Sequence, residues 1–147
     1  MSLTENRKKR VVNPRYAKSG GYRKVIRSIE TEGKCPFCPE NFKYHKHPIL
    51  KESGGWFVTR SSWPYKNTKH HFVVIGKEHK EHFRELDRVD MVSVQSLVQW
   101  AIETFKIRGG VLAHRFGETD LTGATVCHLH FHLIVPKAGR RVNFPIG

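Results

Sequence analysis

Residues 125–136 read TVCHLHFHLIVP, an apolar run in which His128, His130 and His132 take every second position. A period of two is the mark of a strand, whose successive side chains face opposite sides. The three histidines then share one face, and Cys127, Leu129, Phe131 and Leu133 share the other. HHFVVIG at 70–76 is β-branched and bounded by polar residues, which predicts another strand. HPILKE at 47–52 and GWFVTRS at 55–61 flank Ser53, Gly54 and Gly55, the turn chemistry of a hairpin. VLAHRFG at 111–117 supplies a further strand, joined to the histidine run by the polar connection ETDLTGA.

Between 87 and 106 the period changes. Val89, Val92, Val94, Leu97, Val98, Ala101, Ile102 and Phe105 recur at three and four, which predicts a long amphipathic helix ended by Gly109 and Gly110. Shorter helices are expected at 22–31, where Tyr22, Val25, Ile26 and Ile29 have helical spacing, and at 78–86, EHKEHFREL. There is no internal repeat. The pattern predicts an α+β fold: an antiparallel β-sheet of about five strands with one long and several short helices, lying on one side of the sheet. A chain of 147 residues makes one domain. Residues 1–20, rich in Lys, Arg, Asn and Gly, read as a basic flexible arm, and residues 21–147 as the folded domain.

Charge narrows the partner. The net charge is +13, and residues 1–34 hold ten of the 26 Lys and Arg but only three of the 13 Asp and Glu. Such an excess favours anionic partners, either a small-molecule nucleotide or a nucleic acid met by the basic tail. No apolar stretch approaches a membrane span and the start lacks the apolar core of a signal peptide, so no membrane partner and a cytoplasmic location are expected. Three cysteines are too few for a disulfide framework.

Three histidines alternating on one face form a working surface, with neighbours roughly 6 to 7 Å apart along the strand. They could chelate a catalytic zinc, or one could attack phosphorus while its neighbours orient it and carry protons. Just upstream, residues 115–125 contain Gly117, Gly123 and Thr125, and glycine lets backbone N–H groups approach a phosphate. Cys35-Pro-Phe-Cys38 has the knuckle spacing with which two thiolates grip one zinc, although a redox pair or two incidental cysteines share that spacing. Trp56, Phe57, Trp63, Pro64 and Tyr65 are candidates to wall a base pocket, with 63–66 favoured for substrate contact.

His128-Leu129-His130-Phe131-His132-Leu133-Ile134, with Gly123 and Thr125 leading in, resembles the histidine triad (HIT) signature. The resemblance runs back through VVIGKEH and the long helix to CPFC, and GRRVNFPIG is similar to the segment after the triad in diadenosine-tetraphosphate phosphorylase relatives. It implies a HIT-like sheet and a nucleotide hydrolase or nucleotidyl transferase acting at the α-phosphorus of a dinucleoside polyphosphate or nucleoside phosphoramidate. His130 would be the nucleophile, His132 would hydrogen-bond the phosphate or leaving group, and no organic cofactor is implied. It also implies structural zinc on Cys35, Cys38, His79 and His128, with His82, His45 and His47 as rival ligands, and a homodimer. Many relatives carry Gln where Ala124 stands here, so whatever that side chain contacts is absent. Two other classes compete: a nucleic-acid-binding protein that uses the basic arm, and a zinc hydrolase that uses all three histidines as ligands.

Overall fold

The strands form where the period-two runs lie. The computed structural model describes residues 10–17 and 19–147. β1 (Ile49–Ser53) and β2 (Trp56–Arg60) make a hairpin in which Ser53 faces Trp56 across a two-residue turn. Gly54 sits there at φ +55°, and a Cβ on it would lie 2.5 Å from Ser93 Oγ, so conformation and space both call for glycine. β3 (Thr68–Gly76), β4 (Val111–His114) and β5 (His130–Pro136) complete an antiparallel sheet of order β1-β2-β3-β5-β4. β5 is therefore held on both sides, with His130 opposite Ile75 and His132 between Val73 and Ala113.

Alternation divides the sheet into two faces. Trp56, Val58, Phe72, Val74, Phe131 and Leu133 pack on Val94, Leu97 and Ala101 of α1's longer counterpart, the helix Arg88–Thr104, which forms the main core. Numbered in chain order, that long helix is α2, and α1 is Gly20–Glu32. Asp87 and Asp90 cap α2 reciprocally, each carboxylate accepting the other's backbone N–H at 2.9 Å. α2 stops at Thr104, earlier than Gly109 and Gly110 suggest, because Lys106 takes a left-handed φ of +54°.

The other face corrects the one-sided arrangement expected from sequence. Phe57, Val73 and Ile75 lie on it beside His130 and His132, and α1 covers it. Ile26 and Ile29 of α1 bury themselves with Val12 and Val126. Both faces of the sheet carry apolar residues, so both need a covering layer.

The flexible-arm boundary also moves. Residues 1–9 of that expected arm lie outside the described residues. Residues 10–17 belong to the fold: Val12 is fully buried and bridges Val126, Asn13 N–H donates to Thr125 O at 2.7 Å, and Cys127 N–H donates to Val11 O at 2.8 Å. Two adjacent valines suffice to dock a segment that is otherwise polar. The helix expected at 78–86 is only a 3-10 turn, Phe83–Glu85, since Phe83 and Leu86 alone give too short an apolar stripe to hold a helix. One further helical turn, α3 (Thr119–Thr122), lies in the connection to β5. Among the described residues no helix is long and apolar enough to cross a membrane.

Val12→Ala is expected to lower unfolding stability by roughly 1–3 kcal/mol in a urea titration, the range for truncating a fully buried aliphatic side chain. An unchanged midpoint would mean that residues 10–17 do not bear on the core.

Candidate functional site

β5 begins at His130, so His128 precedes the strand instead of sharing it with the other two histidines. The Val12–Val126 bridge and the hydrogen bond from Leu129 N–H to Lys80 O (2.7 Å) draw residues 126–129 off the sheet ladder. His128 is 2% exposed and fixed at both nitrogens. One of them, Nε2, lies 2.5 Å from Gly76 O, an acceptor, so it carries the proton. The lone pair of Nδ1 then faces Cys35 Sγ at 3.4 Å, Cys38 Sγ at 3.7 Å and His79 Nδ1 at 3.2 Å.

These four ligand atoms lie within 4.8 Å of one another, and Cys38 Sγ is 3.5 Å from His79 Nδ1. A tetrahedral ion with bonds of about 2.3 Å to sulfur and 2.0–2.1 Å to nitrogen needs N···N edges of about 3.3 Å and S···N edges of about 3.6 Å. The observed spacings fit. His79 turns its other nitrogen, Nε2, toward Glu81 Oε2 at 3.5 Å, so both histidines have an acceptor behind them, as metal-ligating imidazoles do. Burial, then the neighbouring Cys35, pushes the Cys38 thiol up to about 12, and burial raises Cys35 as well. Without a cation this pocket disfavours thiolates, and a divalent ion reverses that preference. The rival ligands lie elsewhere. His45 Nε2–H donates to Thr59 Oγ1 at 2.6 Å, His47 is exposed, and His82 begins the 3-10 turn.

His130 is held by His128's own backbone. Its Nδ1 lies 2.7 Å from His128 O, which only accepts, so Nδ1 carries the proton and Nε2 keeps a free lone pair. Burial pushes His130 down to about 3, with the charges of His128, His114 and Arg115 adding to the effect and the His128 carbonyl opposing it. The ring is therefore neutral and nucleophilic at pH 7.

His132 belongs to a chain of donors that sequence reasoning missed. Tyr65 N–H donates to His71 Nδ1 at 3.1 Å, so His71 Nε2 bears the proton and donates to His132 Nδ1 at 2.8 Å. His132 then presents Nε2–H, with Arg115 Nη1 3.5 Å away. Burial holds His132 well below its usual value, followed by the nearby His130, His71 and Arg115. The only advance signal for His71 is its place in a strand, where it alternates with His70. The three triad rings thus have three different sets of partners and do not converge on one ion.

A cleft of about 840 Å³ separates α1 from the histidine face. His130 and His132 line it with Phe37, Val73, Trp63 and Tyr65, as do Gly123 and Thr125. Trp63 stacks on Tyr22 (5.3 Å, 24°), and Tyr65 lies parallel to His132 (5.8 Å, 17°). Trp56 and Phe57 are core instead. The glycine loop is less open than its sequence suggests. Gly123, at φ +73°, ends α3 and gives its N–H to Thr119 O at 2.8 Å, Ala124 gives its own to Thr122 Oγ1 at 3.1 Å, and Thr125 Oγ1 pairs with Tyr22 Oη at 2.7 Å.

No protein-family model and no curated protein matches the chain. Solved structures do. A histidine triad nucleotide-binding protein from Candida albicans matches at TM-score 0.60 and 20% identity, over 78% of this chain and 85% of its own. A HIT family hydrolase from Clostridium thermocellum matches at TM-score 0.55 and 22% identity, over 76% and 97%. A diadenosine triphosphate hydrolase from Plasmodium falciparum matches at TM-score 0.52 and 18% identity, over 65% of each chain. The chain has the histidine triad fold.

Burial pushes His45, His71 and His114 each down to about 4, with Arg115 adding to the shift at His71 and His47 to that at His45. Below pH 6.5 the unfolded chain takes up protons that the folded one refuses, so stability falls as pH drops from 6.5 toward 4. The urea midpoint is expected to be clearly lower at about pH 5 than at about pH 7.5, and equal midpoints would contradict the neutral assignment.

Proposed function

We propose that this chain is a histidine triad nucleotide hydrolase or nucleotidyl transferase that attacks the α-phosphorus of a nucleoside phosphate derivative, a dinucleoside polyphosphate or a nucleoside phosphoramidate, through His130. The observation that carries the proposal is the 2.7 Å hydrogen bond from His130 Nδ1 to His128 O, which leaves an Nε2 lone pair in a cleft of nucleotide size. The names of the structural relatives, a histidine triad nucleotide-binding protein and a diadenosine triphosphate hydrolase, support the substrate class.

In this reading Nε2 forms a bond to phosphorus while the bond to the leaving group breaks. The ring becomes cationic, and its Nδ1–H keeps donating to the His128 carbonyl, whose partial negative charge stabilises the cation. The Nε2–H of His132 hydrogen-bonds a phosphoryl oxygen as negative charge grows there. Water or another acceptor then attacks the same phosphorus, the P–N bond breaks, and the neutral ring returns. The apolar wall of the cleft and Trp63 take the base, and Gly123 and Thr125 border the phosphate.

The metal is zinc, chosen by two thiolates and two imidazoles in tetrahedral array. Cys35, Cys38, His79 and His128 would hold it, and when bound it supplies a structural cross-link. By fixing His128 it fixes the carbonyl that orients His130.

Intact mass spectrometry after brief mixing with diadenosine tetraphosphate or an adenosine phosphoramidate, quenched without acid, is expected to show a nucleotidyl adduct on the native chain and none on His130→Ala. Turnover of that variant should fall roughly a thousandfold or more; an adduct that survives the substitution removes His130 as nucleophile. Elemental analysis should find roughly one zinc per chain in the native protein and in His130→Ala, and little in Cys35→Ser. Metal-free native protein that retains its full melting temperature would refute the structural role.

A further inference from the structure

His132 Nε2 and Arg115 Nη1 approach to 3.5 Å, and both carry hydrogen, since the Tyr65 amide sets the direction of the His71–His132 pair. Two donors face each other with no acceptor between them. Arg115 Nη1 also donates to Tyr65 Oη at 2.9 Å and Nη2 to Pro145 O at 2.7 Å, while Phe144 lies flat on the guanidinium at 3.8 Å. These contacts fix the plane of the group and neutralise none of its charge. Among the described residues no carboxylate pairs with it, and its Nε is buried without a partner. A half-buried cation left in this state is stabilised by an incoming anion.

A second cavity, of about 1110 Å³, lies beside Trp63 and Tyr65, which line both it and the triad cleft. Its outer lining brings Lys66, Asn67, Arg141 and Asn143, with no acidic residue. Lys46 Nζ lies 3.8 Å from the centre of the Trp63 ring. The path leading away from the triad is therefore cationic and aromatic.

We infer that Arg115 and this second cavity form the leaving-group subsite, and that the leaving group they select is a phosphate chain and not an amine. The inference rests on the reading of His130 as the nucleophile and adds the choice between the two substrate types. As His130 Nε2 bonds to the attacked phosphorus, the bridging P–O bond breaks and its electron pair stays on the bridging oxygen of the departing phosphate. That oxygen meets the guanidinium and the Nε2–H of His132. Arginine supplies charge without giving up a proton, which suits a phosphate that departs as an anion. An amine departs only after gaining a proton, and as an ammonium ion it is repelled by Arg115, Lys66 and Arg141.

The test uses the full chain with Arg115→Gln and Arg115→Lys, comparing kcat/KM for diadenosine tetraphosphate with that for an adenosine 5′-alkylphosphoramidate. Arg115→Gln is expected to lose roughly 10- to 100-fold more on the polyphosphate than on the phosphoramidate, the scale of a lost charge-assisted hydrogen bond. Arg115→Lys should recover part of that difference, because it restores the charge without the fork. Equal losses on both substrates, or a native preference for the phosphoramidate, overturn the inference. Titration with ATP and AMP separates it from the catalytic reading. Native protein should bind ATP more tightly than AMP, and Arg115→Gln should erase that preference. If neither substrate turns over but the preference is present and Arg115-dependent, the anion subsite stands and the nucleophile reading falls. If native protein shows no preference for ATP, the subsite falls whatever the turnover.

Discussion

Everything at the site depends on how His128 is gripped. Its Nε2 is tied to the Gly76 carbonyl at the end of β3, its Nδ1 faces two sulfurs and a second imidazole, and its own carbonyl accepts from His130. Each tie removes an alternative. The Gly76 bond fixes the tautomer, the cysteine knuckle fixes the ring's position, and the carbonyl passes that order to the next histidine. A rotation of His128 would therefore displace a metal ligand and release the proton position on His130 together.

The electrostatics of the cleft follow from burial more than from charge pairing. His130 and His132 are almost fully enclosed, and the chain meets that cost by keeping both rings neutral and giving each a directed hydrogen bond. The cation beside them is Arg115, held by an aromatic face, a hydroxyl and a carbonyl. Neutral rings next to a fixed cation favour an anionic guest over a cationic one. The overall charge of +13 acts in the same direction at longer range.

Much of this was legible in the sequence. The period-two runs marked the five strands, the 3.6 period marked α2, and the triad with its CPFC companion marked the site. The four clustered ligand residues match those the family resemblance implied. What escaped depended on distant pairing. His71 meets His132 across 61 positions because β3 lies beside β5, and nothing local in HHFVVIG encodes that. Arg115 is one of 26 cations, and only the fold separates it from the others. Val11 and Val12 are two apolar residues in a basic stretch, too few for a periodicity, yet they dock residues 10–17. The side on which α1 packs was unreadable because its stripe fits either face of a sheet apolar on both.

β5 is an interior strand, laced to β3 on one edge and β4 on the other, and its odd and even positions do opposite jobs. Phe131 and Leu133 fill the core while His130 and His132 face the cleft. Adding or removing one residue within 130–136 would reverse that assignment, sending imidazoles into the oil and aromatics into the water. The connection at 115–125 has no such parity to keep, so length variation that diversifies this scaffold belongs in that loop, while the strand itself tolerates exchange of side chains but not a change in their count.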